Sequence, residues 1–324
     1  MVALLCVGCG RPPELAFVPR AEVATLPENL QAIIRDQLAQ HCGTPTHPKL
    51  LGAEDSPRDR LMHGAAVYQQ RCVHCHGTTG DGAGPAAEVM YPRPRDYRRG
   101  IFKFTSTPYG AKPRRSDLAR TVRHGAKGTS MPSFALLSDD DVEAVIDYVL
   151  ALTHRGELEL LLTLEAQNED EIAAERVPDI IDEVLTPWRA AADQYVEPVS
   201  KMPRYTSESI EEGKKAFLSE TAGCFKCHGP DGRAETTDNL KGFTDVWGFQ
   251  TRAADLTSGM FHGGNRPDDI YRRIFSGING TPMPAFDAKL ADQPDLFWHL
   301  VHYVQFISGE RRSAVIKQEQ ALRK

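Results

Sequence analysis

Two short segments of the chain carry the same pattern of cysteine and histidine. Residues 72–76 read Cys-Val-His-Cys-His and residues 224–228 read Cys-Phe-Lys-Cys-His, so both have the form C-x-x-C-H. Two thiols at this spacing can add to the two vinyl groups on one porphyrin edge, and the adjacent imidazole can then reach the iron. A cysteine pair without the histidine would also suit zinc or dithiol redox chemistry. The pattern predicts two covalently attached haem c groups (iron), and the attaching residues are Cys72, Cys75, His76, Cys224, Cys227 and His228.

A methionine follows each motif at the same distance. Met131 lies 55 positions after His76 in Gly-Thr-Ser-Met-Pro, and Met283 lies 55 positions after His228 in Gly-Thr-Pro-Met-Pro. A thioether opposite a histidine raises the reduction potential of haem iron and closes it to substrates. We therefore predict that His76 and Met131 bind one iron and that His228 and Met283 bind the other.

Other side chains compete for these roles. His124 and His262 lie on the same downstream segments, although neither has an equivalent near the other motif. A methionine can also be simple core filler. Cys42 could be a haem ligand or a redox thiol, and a small buried hydrophobe is the interpretation we favour.

Two motifs that share their spacing indicate a duplicated domain. We name residues 56–156 the first repeat and residues 204–312 the second repeat. Helix signals flank each motif, at Ser56-Pro57 and Ser207–Leu218 before it and at Ser138 and Pro294 after it. Hardly any alternating strand pattern occurs, so the sequence predicts an all-α fold.

Each repeat resembles a class I cytochrome c domain, and together they resemble bacterial dihaem c-type cytochromes with two tandem domains. The matching features are C-x-x-C-H, the Met-Pro loop, and a glycine four residues before an aromatic residue (Gly64 with Tyr68, Gly213 with Phe217) where the first and last helices of such a domain cross. The resemblance covers roughly residues 56–155 and 205–310. It implies covalent haem, His/Met ligation and one-electron transfer, with no catalytic side chain.

The remaining segments are helical but do not resemble that family. A helix is predicted from Pro27 to His41 in an N-terminal arm, residues 21–55. Residues 157–203 form an acidic helical spacer, because Glu157–Glu197 holds twelve acidic and two basic residues although the whole chain carries a net charge of only −6. A C-terminal tail, residues 313–324, completes the expected organisation.

The segment Arg93–Lys127 has the opposite charge, with eleven basic and two acidic residues. It could form a docking surface for an acidic redox partner around an exposed haem edge. Alternatively, some of these residues neutralise haem carboxylates, or the acidic spacer pairs with them inside the chain. The overall negative charge argues against nucleic acid as a partner.

Three functions are compatible with two such haems. The leading one is a dihaem c-type cytochrome that carries single electrons in a bacterial respiratory chain, either as a free carrier or as the cytochrome c subunit of an oxidase or quinol-oxidising complex. Its partners would be redox proteins, a quinol-oxidising complex or a terminal oxidase. The alternative is an enzyme similar to dihaem cytochrome c peroxidases or to sulfur-oxidising enzymes, and two methionine ligands argue against an open iron.

The first residues bear on location. Gly8-Cys9 after a short apolar stretch resembles the end of a bacterial lipoprotein signal, so we expect residues 1–20 to include a truncated signal with Cys9 as a lipid site. An irregular terminus with two spare thiols, Cys6 and Cys9, is the alternative. Because bacterial haem c is attached outside the cytoplasmic membrane, we expect an exported protein in the periplasm or on the periplasmic face of the inner membrane.

Overall fold

The computed structural model describes residues 16–53 and 58–322. Within them, the α-helices are α1 (Glu28–Cys42), α2 (Arg58–Arg71), α3 (Val73–His76), α4 (Arg115–His124), α5 (Asp139–Glu169), α6 (Val177–Ala191), α7 (Ser207–Leu218), α8 (Cys224–His228), α9 (Thr237–Lys241), α10 (Pro267–Phe275) and α11 (Leu296–Leu322). Five short 3₁₀ turns occur at Val23–Thr25, Ala87–Val89, Tyr97–Arg99, Ala174–Arg176 and Leu256–Ser258. The expectation of an all-α fold is confirmed.

Extended structure in the described residues is confined to two small antiparallel pairs. Strands β1 (Gly43–Thr44) and β2 (His47–Pro48) pair with Gly43 opposite Pro48, and β3 (Phe243–Thr244) and β4 (Gln250–Thr251) pair with Phe243 opposite Thr251. Each pair is only two residues long, too short to produce an alternating pattern that sequence inspection could detect.

The first repeat is organised by the crossing of α2 and α5. A Cβ atom at Gly64 would lie 2.0 Å from the carbonyl oxygen of Ala144, so only glycine lets the two backbones come this close. One turn further along, Tyr68 and Tyr148 pack with their ring centroids 5.1 Å apart. The Ser138 hydroxyl caps α5 by accepting a hydrogen bond from the N–H of Asp141 at 3.1 Å, as its sequence predicts.

The second repeat reproduces this crossing with α7 and α11. A Cβ atom at Gly213 would lie 1.9 Å from the carbonyl oxygen of His299. Phe217 and Tyr303 then pack at 5.2 Å, with the same 59° interplanar angle as the tyrosine pair of the first repeat. The glycine–aromatic pattern noted in the sequence therefore corresponds to two equivalent helix crossings.

The arm and the spacer form a third packed unit, which the sequence analysis treats as two separate segments. Helix α1, the second half of α5 and helix α6 share one hydrophobic core. Leu38 of α1, Leu158 and Leu162 of α5 and Ile180 of α6 are all nearly inaccessible to solvent. Cys42 is also buried in this core, as the favoured interpretation expects.

Helix α5 runs unbroken across the boundary placed at residues 156 and 157. Its N-terminal half belongs to the first repeat and its C-terminal half to the third unit. The acidic residues that mark the spacer in composition alternate with Leu158, Leu161 and Leu162, so the helical apolar stripe continues through them. Composition changes at this point, but the secondary structure does not.

Some expectations fall outside the described residues. Cys6, Cys9 and the helix cap at Ser56-Pro57 are among them. Within the described part, none of the helices combines the length and apolar character that a membrane span needs. The segment expected as a C-terminal tail continues the backbone of α11 to Leu322.

Candidate haem-binding sites

Each C-x-x-C-H motif forms a single helical turn. Helix α3 begins directly after Cys72, and helix α8 begins at Cys224. Gly77 and Gly229 end the two turns with φ of +74°, a left-handed conformation that favours glycine. The Tyr68 hydroxyl donates a 2.8 Å hydrogen bond to the carbonyl of Gly77, which fixes the first motif against the α2–α5 crossing. The four motif cysteines form no disulfide.

The two motif histidines are oriented by the same kind of hydrogen bond. Nδ1 of His76 donates to the carbonyl oxygen of Arg95 at 3.2 Å, and Nδ1 of His228 donates to that of Ala254 at 2.9 Å. A carbonyl can only accept, so Nδ1 carries the hydrogen and Nε2 of the neutral ring remains free for a metal. Burial lowers the pKa of both histidines, that of His76 to about 4, which keeps the rings neutral at pH 7.

These carbonyls belong to the residues two positions before two equivalent 3₁₀ turns. Asp96 caps the turn Tyr97–Arg99 and Asp255 caps the turn Leu256–Ser258, so Tyr97 and Leu256 occupy equivalent places. Tyr97 stacks on the His76 ring at 4.8 Å with an interplanar angle of 22°. The two sites therefore share a design but differ in the side chain at this place, a tyrosine in one and a leucine in the other.

The two methionines lie in loops of matching geometry. The carbonyl of Met131 accepts a hydrogen bond from the N–H of Ala126 at 3.2 Å, and that of Met283 accepts one from Ile278 at 3.1 Å. The N–H of each methionine donates to the hydroxyl of the threonine two residues before it. Repetition of the Gly-Thr-x-Met-Pro sequence thus produces repetition of the loop.

All eight predicted site residues lie on the wall of one cavity of about 990 Å³. They are Cys72, Cys75, His76, Met131, Cys224, Cys227, His228 and Met283. Its volume is at the upper end of the roughly 300–1,000 Å³ typical of a single small-molecule site, and both repeats line it. Helix side chains supply an apolar lining suited to a porphyrin, among them Leu118, Val145, Ile270 and Leu300.

The cavity wall is also strongly basic. Eight of its residues are basic and two are acidic, namely Arg71, Arg93, Arg95, Lys103, Lys226, Arg252, Arg273 and Lys289 against Asp117 and Glu220. Burial lowers the pKa of Arg95 and Arg273 to about 10 and that of Lys103 to about 8. Cations inside an apolar cavity fit a group that combines a large hydrophobic ring with carboxylates, which is the chemistry of haem.

The two competing candidate ligands, His124 and His262, differ in their position relative to the cavity. His124 lies outside the cavity wall, exposed to solvent, and its Nδ1 donates to the carbonyl of Arg120. His262 lies on the wall, where its ring donates to the carbonyl of Lys127 in the other repeat. For the zinc alternative, no group of three histidine, cysteine or acidic side chains suited to a metal occurs in the part of the chain that the structure describes.

The basic segment Arg93–Lys127 differs from the expected docking surface, because much of it contacts the second repeat. The Arg95 guanidinium lies 3.8 Å from the ring centroid of Trp247. Lys103 pairs with Asp245 at 3.6 Å, and Arg120 donates to the carbonyl of Gly263 at 2.8 Å.

Other members of the segment pair within the chain as well. Arg115 binds Glu143 and Asp147, and Lys112 pairs with Glu157 at the start of the acidic spacer. Of its eleven basic side chains, only Lys127 is exposed. The pair of Lys112 with Glu157 agrees with the alternative in which the acidic spacer pairs with this segment inside the chain. The contacts of the segment with the second repeat had no sequence signal, because clustering by charge does not show which face of the fold the charges occupy.

Comparison with known proteins agrees with this geometry. Residues 59–149 match the family described as cytochrome c oxidase, cbb3-type, subunit III. Among solved structures, the chain is similar to a chain of the Kuenenia stuttgartiensis reducing HAO-like protein complex, with 31% identity and a TM-score of 0.60 over 76% of this chain and 95% of that one. No curated protein gives a significant match. A cytochrome c domain implies covalently bound haem c, and the chain belongs to the c-type cytochromes.

Proposed function

We propose that the chain is a dihaem electron-transfer protein, with one haem c on each C-x-x-C-H motif. The observation that carries this proposal is the shared cavity, because both motifs and both methionine loops line it. Bound haem supplies one-electron chemistry at its iron. His76 and Met131 would hold the first iron, and His228 and Met283 the second.

The side chains of this protein position the cofactors and shield them from water. The carbonyls of Arg95 and Ala254 fix the imidazole rings through Nδ1, so that Nε2 stays available as a ligand. The cysteines anchor each porphyrin edge to its helical turn, and the apolar cavity wall excludes water. No acid, base or nucleophile is needed, since electron transfer requires only a fixed distance and potential.

The closeness of the two motifs favours exchange of electrons within the chain. Both motifs line one cavity, so the two haems would lie near each other. Electrons that enter at one site could therefore pass to the other.

Similarity to a chain of the reducing HAO-like protein complex supports a role as a subunit bound to a larger redox enzyme, in preference to a free carrier. The third unit, α1 with α6 and the second half of α5, is not needed to bind haem and offers additional surface for such an assembly. The oxidase and quinol-oxidising complexes are the other partners considered. We place the protein outside the cytoplasmic membrane, where haem c is attached, with a lipid on Cys9 as its anchor.

The test is to produce the chain in an exporting host that attaches haem c and to count haem per chain. We expect two covalent haems, with substitution of both Cys72 and Cys75 by alanine removing one of them and substitution of Cys224 and Cys227 removing the other. Met131→His should lower the midpoint potential of one haem in an optical redox titration and leave the other unchanged.

Two results would count against this proposal. A single covalent haem would refute the dihaem assignment. A high-spin spectrum in the resting or half-reduced protein would indicate an open iron and favour the peroxidase-like enzyme, because two methionine-bound irons are low-spin.

A further inference from the structure

The guanidinium group of Arg273 lies between the two repeats with most of its hydrogen-bonding capacity unused. Its Nη2 donates to the carbonyl of Thr105 in the first repeat. Its Nε and Nη1 are buried and have no hydrogen-bond partner among the described residues. A buried charged donor without a partner is costly in free energy, so such a group indicates a missing ligand.

The same side chain lies on the wall of the shared cavity. Its charged neighbours are Arg120 and Asp117 of the first repeat and Asp269 and Arg272 of its own helix. Asp117 already accepts hydrogen bonds from the N–H and hydroxyl of Ser106, and Asp269 is engaged by Arg120 and Arg266. The nearby carboxylates are thus committed elsewhere, and Arg273 lines the space that a cofactor would fill.

The duplication does not provide an equivalent arginine in the first repeat. Gly125 and Gly277 begin the two methionine loops. The residue four positions before the glycine is Thr121 in the first repeat and Arg273 in the second. Threonine and arginine cannot be interchanged without a large change in charge and reach. Arg273 is therefore a specific feature of the boundary and not a general requirement of the repeat.

We propose that Arg273, anchored in both repeats, binds a carboxylate of bound haem at their boundary. This inference rests on the proposed function. Either of the unused donors, Nε or Nη1, can give a charge-assisted hydrogen bond to a carboxylate, and the pair would be partly desolvated in the cavity. The positive charge favours the reduced cofactor, which carries one positive charge less than the oxidised cofactor, and so raises the midpoint potential.

The experiment compares Arg273→Gln and Arg273→Lys with Arg272→Gln in the full-length haem-loaded protein. Arg272 is the matched control, because its Nε donates to the carbonyl of Val196 and its guanidinium stacks on Tyr195 away from the cavity. In an optical redox titration, we expect Arg273→Gln to lower at least one midpoint potential by about 59 mV, which is a tenfold change for a one-electron couple. Arg273→Lys should give a smaller shift in the same direction, and Arg272→Gln none.

Haem content distinguishes a failure of the inference about Arg273 from a failure of the proposed function. If Arg273→Gln keeps both haems and both wild-type potentials, the inference about Arg273 is wrong and the proposed function stands. If Arg273→Gln does not fold, unchanged potentials in Arg273→Lys overturn the inference equally. A wild-type chain that carries no covalent haem overturns the proposed function itself.

Discussion

Replacing Gly213 by alanine should destabilise the second repeat. The added Cβ would lie 1.9 Å from the carbonyl oxygen of His299 and 2.9 Å from Cβ of Tyr303. The first of these atoms belongs to the backbone of α11 and cannot rotate away, so the two helices must separate. Overpacking of this kind costs about 1–3 kcal/mol, while alanine gains about 0.5–1 kcal/mol over glycine in a helix. Because the collision is deep, we expect a net loss of about 2 kcal/mol.

Gly309 of α11 provides the control. Like Gly213 of α7 it lies inside a helix, but no atom of the described residues would come within 4 Å of its added Cβ. Gly309→Ala should therefore stabilise the protein by about 0.5–1 kcal/mol through helix propensity alone. The two glycine-to-alanine changes should have opposite signs.

Urea unfolding of the haem-loaded protein, followed by far-ultraviolet circular dichroism, measures both variants. Midpoints should move in opposite directions with little change of slope, since the surface exposed on unfolding is unchanged. If Gly213→Ala is as stable as the wild type, the backbones do not meet as described and the crossing argument is refuted. The same crossing positions α7 and, through it, the motif in α8, so the haem spectrum should report the damage as well.

Two further changes test the first repeat and the third unit. Tyr97→Leu, which installs the residue that Leu256 provides in the second repeat, should remove the ring stack on His76 at a cost of about 1 kcal/mol and alter the absorption of the first haem only; equal changes in both haems would contradict it. Burial lowers the pKa of His154 to about 3, whereas an unfolded histidine titrates near 6.5, so the unfolded chain binds a proton that the folded chain does not. The contribution of His154 to the free energy of unfolding is fully present above pH 6.5. As the pH falls from 6.5 towards 3, this contribution decreases by up to about 1.4 kcal/mol per pH unit. His154→Leu should flatten the loss of stability between pH 7 and pH 5 in urea unfolding, and an unchanged pH dependence would show that His154 is protonated without cost.

Local patterns in the sequence predict the two sites well, because the chemistry of haem attachment demands adjacent residues. The cysteines, His76 and His228 are fixed relative to one another by a single helical turn. The methionine loops are also local, since each repeats a short motif. The two helix crossings join distant segments, Gly64 with Ala144 and Gly213 with His299, and they are expected only from the resemblance to cytochrome c domains.

Contacts between distant segments could not be predicted in the same way. Arg95, Trp247 and Arg273 carry no motif, and their roles depend on the packing of one repeat against the other. The joined core of α1 and α6 depends likewise on the unbroken course of α5, which the predicted organisation divides between the first repeat and the acidic spacer. A charge run shows that a segment is polar, but its pairing partners are set by the tertiary fold.

The common cavity follows from the way the two repeats meet. Arginines cross the boundary in both directions. Arg273 of the second repeat donates to the carbonyl of Thr105, and Arg120 of the first repeat donates to the carbonyl of Gly263.

Phe104 and His262, the residues just before Thr105 and Gly263, also face each other with ring centroids 6.4 Å apart. Each repeat therefore contributes side chains that contact the other, and the haem-binding walls of both line one space. The end of the acidic spacer contributes to the same boundary, because the N–H of Val196 donates to the carbonyl of Ser106 in the first repeat and the carbonyl of Val196 accepts from Nε of Arg272 in the second.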